Sequence, residues 1–157
     1  MRKAFALPGF VLLVLACAGL TLSAKAAQPL VYVGTKACVD CHPSEYDSYN
    51  KNSKKAHSFK SVQIMSNKLE PSEVKECYAC HTTGYKQPGG FESLEKTPDM
   101  ANGGCEVCHG PGSAHVTSGG DTKLIKGKLT VDDCKACHSA ERVRSFNYRP
   151  MIYGGGH

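Results

Sequence analysis

Eight of the nine cysteines in this chain fall into four pairs of one form. Cys38/Cys41, Cys77/Cys80, Cys105/Cys108 and Cys134/Cys137 each keep two residues between the thiols. Each pair is followed at once by a histidine: His42, His81, His109 and His138. Disulfides alone place no demand on the residue after each pair. A structural zinc site needs two such pairs, or one pair with spaced histidines, and gains nothing from an adjacent imidazole. A thioredoxin-like redox pair occurs once, beside a βαβ pattern that this chain lacks. C-x-x-C-H is the attachment pattern of c-type haem. The two thiols add across vinyl groups on one porphyrin edge, and the next side chain falls beneath the iron as its proximal ligand. The pattern predicts four covalently bound haems, with eight cysteines as anchors and four proximal histidines.

Seven histidines are present in all, so His57, His115 and His157 remain. Iron in such sites takes a sixth ligand from His or Met, and these three imidazoles are the expected distal ligands. Four irons against three spare histidines leave at least one iron short. Met65, Met100 and Met151 read as packing residues, so an open or weakly ligated iron is expected. Spacing restricts the pairing. A helix is expected to start at Pro43, with acidic residues in its first turn and lysines in its last. If it runs unbroken to His57, His42 and His57 are about 22 Å apart at the helical rise. Two imidazoles sharing one iron have their ligating atoms only about 4 Å apart, so His57 is expected on a different haem from His42. His115 follows His109 by six residues through Gly110-Pro111-Gly112. Reaching the far face of its own haem would require a short, turned segment to wrap the macrocycle edge. Serving a neighbouring haem is the simpler path. The glycines of "GGCEVCHGPGSAH" are expected to let the backbone lie against a flat macrocycle where a Cβ would collide.

The thiols belong to an exported chain. Arg2 and Lys3 precede an apolar run and a Ser-Ala-Lys-Ala-Ala stretch, which reads as a signal peptide over residues 1–27 cut after Ala26 or Ala27. "VLAC" ending at Cys17 also resembles a lipoprotein box, which would leave a lipidated Cys17. Export is to the periplasm or the cell exterior. Contact with a membrane is expected only if Cys17 is lipidated or the apolar run is retained. The formal charge of +5 loses Arg2, Lys3 and Lys25 with the signal, leaving 16 basic against 14 acidic residues. A balance of +2 gives no reason to expect nucleic acid as a partner.

Residues 28–157 read as one domain. "KQPGGFESLEKTPDMANGG" and "TSGGDTKLIKGKLTVDD" are loops with at most a helical turn, no strand alternation is convincing, and no long amphipathic helix follows the first. The fold class is therefore mainly α with extensive loops, a small multihaem cytochrome c fold organised around its four haems. The macrocycles supply the apolar core that so few large hydrophobic residues cannot.

Four segments resemble the tetrahaem cytochromes of the cytochrome c-554 family. They are "YVGTKACVDCHPSEYDSYNKNSKKAHS", "CYACHTTGYKQPGGF", "GGCEVCHGPGSAH" and "CKACHSAERVRSFNYRPMIYGGGH". G-C-E-x-C-H-G-P-G and the early A-H are the specific elements. The resemblance implies electron transfer through closely stacked haems. It also implies that His57 serves the third haem, His115 the first and a C-terminal histidine the fourth, while the second haem keeps an open position. His157 stands in that last place behind three glycines.

No acid/base dyad, nucleophile constellation or phosphate loop appears, so the cofactors carry the chemistry. The expected function is an electron carrier between redox protein partners, not an enzyme. Reduction of a small nitrogen oxide at the second haem, with Tyr78, Tyr85 or a lysine lining it, is one alternative. Assembly into a conductive haem filament through His157 is the other.

Overall fold

A computed structural model describes residues 29–139. The signal segment, Cys17, Met151 and His157 lie outside these residues, and so do the expectations of export, lipidation and a fourth distal ligand. Six helices follow one another: α1 (Pro43–Asn52), α2 (Phe59–Ser66), α3 (Pro71–His81), α4 (Glu106–His109), α5 (Ser113–Thr117) and α6 (Val131–Lys135). Loops and 3-10 turns join them. Among the described residues no strand forms, and Thr82 and Ala101 make an isolated antiparallel bridge. Mainly α with extensive loops is the architecture observed.

The first helix departs from expectation. It begins as predicted, with Pro43 at a position where a missing N–H costs nothing. It ends at Asn52, because Ser53 swings to extended backbone and its hydroxyl accepts the Lys55 N–H at 3.3 Å. A serine that offers the backbone an alternative partner competes with the helix. Lys54–His57 then forms a separate 3-10 turn. The single continuous helix from Pro43 to His57 is thus corrected, and with it the 15-residue axial separation of His42 and His57.

The longest described helix is α3, which lies beyond the first and carries the second motif at its C-terminal end. Pro71 opens it, and a Glu70/Glu73 capping box satisfies its first free N–H groups, Glu73 accepting from the Glu70 N–H at 2.8 Å. α2 packs against α3, burying Phe59, Val62, Phe91 and Met100 together. Phe59 and Phe91 meet at 5.3 Å between ring centroids. Tyr78 stands edge-on to both Phe91 and Tyr85, so the two tyrosines proposed to line the second haem pack on this cluster. Met100 is buried in it, as expected for a packing residue, while Met65 is 47 % exposed. Other large apolar side chains also face outward, Ile64 at 64 % and Val116 at 47 %.

Candidate haem-binding site

Each motif is built on one helical turn. His42, His109 and His138 donate their backbone N–H to the carbonyls of Cys38, Cys105 and Cys134, at 2.9, 3.1 and 2.9 Å. Cys77, Cys80 and His81 end α3 and share the same local geometry. On a helical turn, positions three and four apart share a face. Both thiols and the imidazole of each motif therefore lie on one face. That is the arrangement a macrocycle requires, anchored along one edge with a ligand beneath its centre. The eight described cysteines are free thiols. Among the described residues no cluster of three or more His, Cys, Asp or Glu is arranged to hold a metal ion directly. A haem iron, which takes four nitrogens from its own ring, needs only axial imidazoles from the chain. The donor set fits covalent haem.

Cys41 is exposed, whereas the other seven described cysteines are partly buried. The reason is its place in the chain. Cys38 ends the 3-10 turn Thr35–Cys38 and meets Cys105 of the third motif. Cys41 closes the next turn, its N–H donating to the Cys38 carbonyl at 3.3 Å, two residues before Pro43 opens α1. One thiol of the first pair is thus turned inward to a neighbouring motif and the other lies at the surface.

The histidines are oriented by backbone carbonyls. Nδ1 of His81 meets the Ser58 carbonyl at 2.8 Å, Nδ1 of His109 that of Lys126 at 2.6 Å, and Nδ1 of His115 that of Asp121 at 3.0 Å. A carbonyl only accepts, so in each ring Nδ1 carries the proton and Nε2 keeps its lone pair for a metal. This is the outer-shell device that fixes ligand histidines elsewhere. His57 is the exception: its Nε2 lies 2.9 Å from the Asn50 carbonyl. In that rotamer Nδ1 is the nitrogen His57 has to offer an iron.

The rings of His42 and His115 lie with centroids 6.4 Å apart and planes inclined by 21°. Two imidazoles bound to one metal through bonds of about 2 Å each have their centroids roughly 6 Å apart. α5 reaches this position by docking on the segment that leads into the first motif. Val31 donates to Ser113 Oγ at 2.9 Å, and the Ser113 N–H returns a bond to the Val31 carbonyl at 3.2 Å. Two residues further along α5 comes His115.

The turn carrying His57 is stitched instead to the lead-in of the third motif. The Gly103 N–H donates to the Lys55 carbonyl at 3.2 Å and to Ser58 Oγ at 3.0 Å, and Tyr49 Oη donates to the Gly103 carbonyl. Gly104 is required there by chain packing: a Cβ would stand 2.1 Å from Thr35 Oγ1. Gly110 ends α4 with a φ of 78°, and space around it is open. Its use is the backbone turn after His109.

Thiols of different motifs also meet. Cys38 and Cys105 hydrogen-bond one another, which raises the first and lowers the second. Cys137 is pushed up to about 12 by burial and by its neighbour Cys80. The first site therefore adjoins the third, and the second adjoins the fourth. Burial raises Cys108 and Cys134 and lowers His138, and in all three Lys55 acts to lower the value. Its ammonium lies among the third and fourth motifs, a neighbour no sequence signal indicated.

Residues 37–110 match the family described as cytochrome c554 and c-prime, a stretch holding the first three motifs. Cytochrome c-554 of Nitrosomonas europaea is 31 % identical over 104 residues, covering 59 % of this chain and 44 % of that protein. The chain thus spans less than half the length of that relative. No solved structure matches.

Proposed function

We infer, from a chain whose residues 37–110 belong to the cytochrome c-554 family, an electron carrier that holds four c-type haems. Cys38/Cys41, Cys77/Cys80, Cys105/Cys108 and Cys134/Cys137 anchor the macrocycles, and His42, His81, His109 and His138 are the proximal ligands. His115 completes the iron held by His42. His57 serves the third site and His157 the fourth. The observation that carries this reading is the 6.4 Å separation of the His42 and His115 rings.

A bound haem supplies a one-electron couple at its iron. The chain does the rest. The cysteine pairs would anchor each macrocycle, and at the first, third and fourth sites a second histidine would leave no open position for substrate or water. The carbonyls of Ser58, Lys126 and Asp121 hold the ring nitrogens in one tautomer, which keeps the ligands in place as the iron's charge changes. Adjoining thiols of the first and third motifs, and of the second and fourth, favour haems close enough to pass electrons onward. The exposed Cys41 favours a first haem with one anchored edge toward solvent, where a partner can approach. Donor and acceptor are redox proteins in the compartment to which the chain is exported.

Mass spectrometry of the mature protein is expected to report four haem additions and a chain beginning near residue 28. Ferric spectra are expected to be mainly low-spin, with most midpoint potentials below zero, as imidazole pairs hold potentials under those of Met/His haems. A predominantly high-spin protein contradicts the distal assignments. The histidine count, one short of the number needed to fill every iron, favours a second reading in which the site of Cys77, Cys80 and His81 reduces a nitrogen oxide. Nitric oxide added to the reduced protein separates the two: turnover supports the reductase, and binding without turnover supports the carrier.

A further inference from the structure

Glu106 stands between the two cysteines of the third motif and is 1 % exposed. Its carboxylate partners are backbone N–H groups from two distant segments. Oε1 accepts from Gly112 at 2.7 Å and from Val33 at 2.9 Å. Oε2 accepts from Gly34 at 2.7 Å and again from Val33 at 3.2 Å. None of the ion pairs among the described residues involves Glu106. A buried carboxylate is costly unless its lone pairs are satisfied, and here three donors converge on it. The two oxygens of a carboxylate offer acceptor sites enough for all three N–H groups.

The segments it joins are those that meet at the first iron. Val33 and Gly34 lead directly into the 3-10 turn Thr35–Cys38, which opens the first motif. Gly112 caps α5, which carries His115. We propose that Glu106 is a positioning residue for the first haem: its carboxylate clamps α5 against the lead-in to Cys38 and so sets the spacing between His115 and His42. Its side chain acts on an iron that its own motif does not hold. The inference rests on the reading that His42 and His115 share that iron.

Glu106→Gln tests it. An amide can accept through one oxygen only, so its NH₂ must face the N–H of either Gly34 or Gly112, and one side of the clamp opens. The fully loaded protein is compared with His115→Ala by haem content, ferric electron paramagnetic resonance and absorption. Glu106→Gln is expected to keep four haems and to show one more high-spin haem than wild type, the same one that His115→Ala converts. Added imidazole should return it to low spin, and the double variant should show no more high-spin haem than His115→Ala alone. Wild-type spin states in Glu106→Gln beside a high-spin His115→Ala overturn the clamp and leave the ligand assignment standing. An unchanged His115→Ala overturns the ligand assignment itself. Should Glu106→Gln not mature, Glu106→Asp keeps both acceptor oxygens one methylene shorter and is read by the same signals.

Discussion

Tyr49 is buried on α1, and its hydroxyl donates to the carbonyl of Gly103 two residues before the third motif. Tyr49→Phe leaves that carbonyl without its donor and is expected to cost about 1–2 kcal/mol, read as a shift in denaturant midpoint with an unchanged slope. Burial lifts the Tyr49 hydroxyl above the ordinary value of 10.0. The folded state therefore holds this proton more tightly than the unfolded chain. Its contribution is complete below pH 10 and drains as pH rises further. Tyr49→Phe should flatten that alkaline loss of stability, and an alkaline limb identical to wild type would contradict it. At this scale the chemistry was legible where residue type alone decides it. Two thiols and an imidazole at fixed spacing point to one cofactor, covalently bound haem. The unequal burial of Cys38 and Cys41 was not legible, since their spacing matches that of every other pair. Glu106 could not be assigned a partner, because its acceptors are matched to backbone donors at Val33, Gly34 and Gly112. Backbone N–H groups have no residue-specific trace in a sequence.

The break at Ser53 turns the stretch after α1 from a rod into a hinge piece between motifs. Ser58, just past the 3-10 turn of His57, joins two of them. Its hydroxyl donates to the His81 carbonyl at 3.1 Å and accepts from Gly103 at 3.0 Å, while its own carbonyl holds His81 Nδ1. Ser58→Ala removes both hydroxyl bonds and is expected to lower stability by about 1–2 kcal/mol. Thermal unfolding followed at the haem absorption bands checks it; an unmoved midpoint would show that water replaces the hydroxyl at no cost. Pro43 and the acidic first turn mark the start of α1 correctly. Its end is hidden because "NKNSKKAH" carries neither glycine nor proline, and the stop comes from a serine side chain competing for the backbone. α3 is unexpected although Glu70, Pro71 and Glu73 spell its start, because its residues show little separation into apolar and polar faces and its last turn is taken up by a haem motif.

At the scale of the fold, the buried apolar cluster among the described residues is thin, with Phe59, Val62, Phe91 and Met100 at its centre and Ile64, Met65 and Val116 turned outward. On the proposed reading, macrocycles covering such faces would add to this burial, as staples do in other small domains. Removing one haem should then cost most where its motif is tied to others. The third motif is bonded to Thr35, Lys55, Ser58 and Thr83 through Gly103, Gly104 and Cys105. Replacing Cys105 and Cys108 by serine should therefore lower the thermal midpoint, followed by circular dichroism, more than the same change at Cys134 and Cys137. Equal losses would mean that the haems stabilise the fold independently. The fold class was readable because haem motifs dictate short helices and loops. The convergence of the first motif with α5 was not, since it depends on Val31–Gly34 lying against Gly112–Ser113. That convergence underlies the central claim, that His42 and His115 share one iron. Anomalous scattering from crystals of the haem-loaded protein locates each iron directly. An iron midway between the two rings, about 2 Å from a nitrogen of each, is the predicted result. An iron bound by His42 with any other group, or none, on its far side would contradict it.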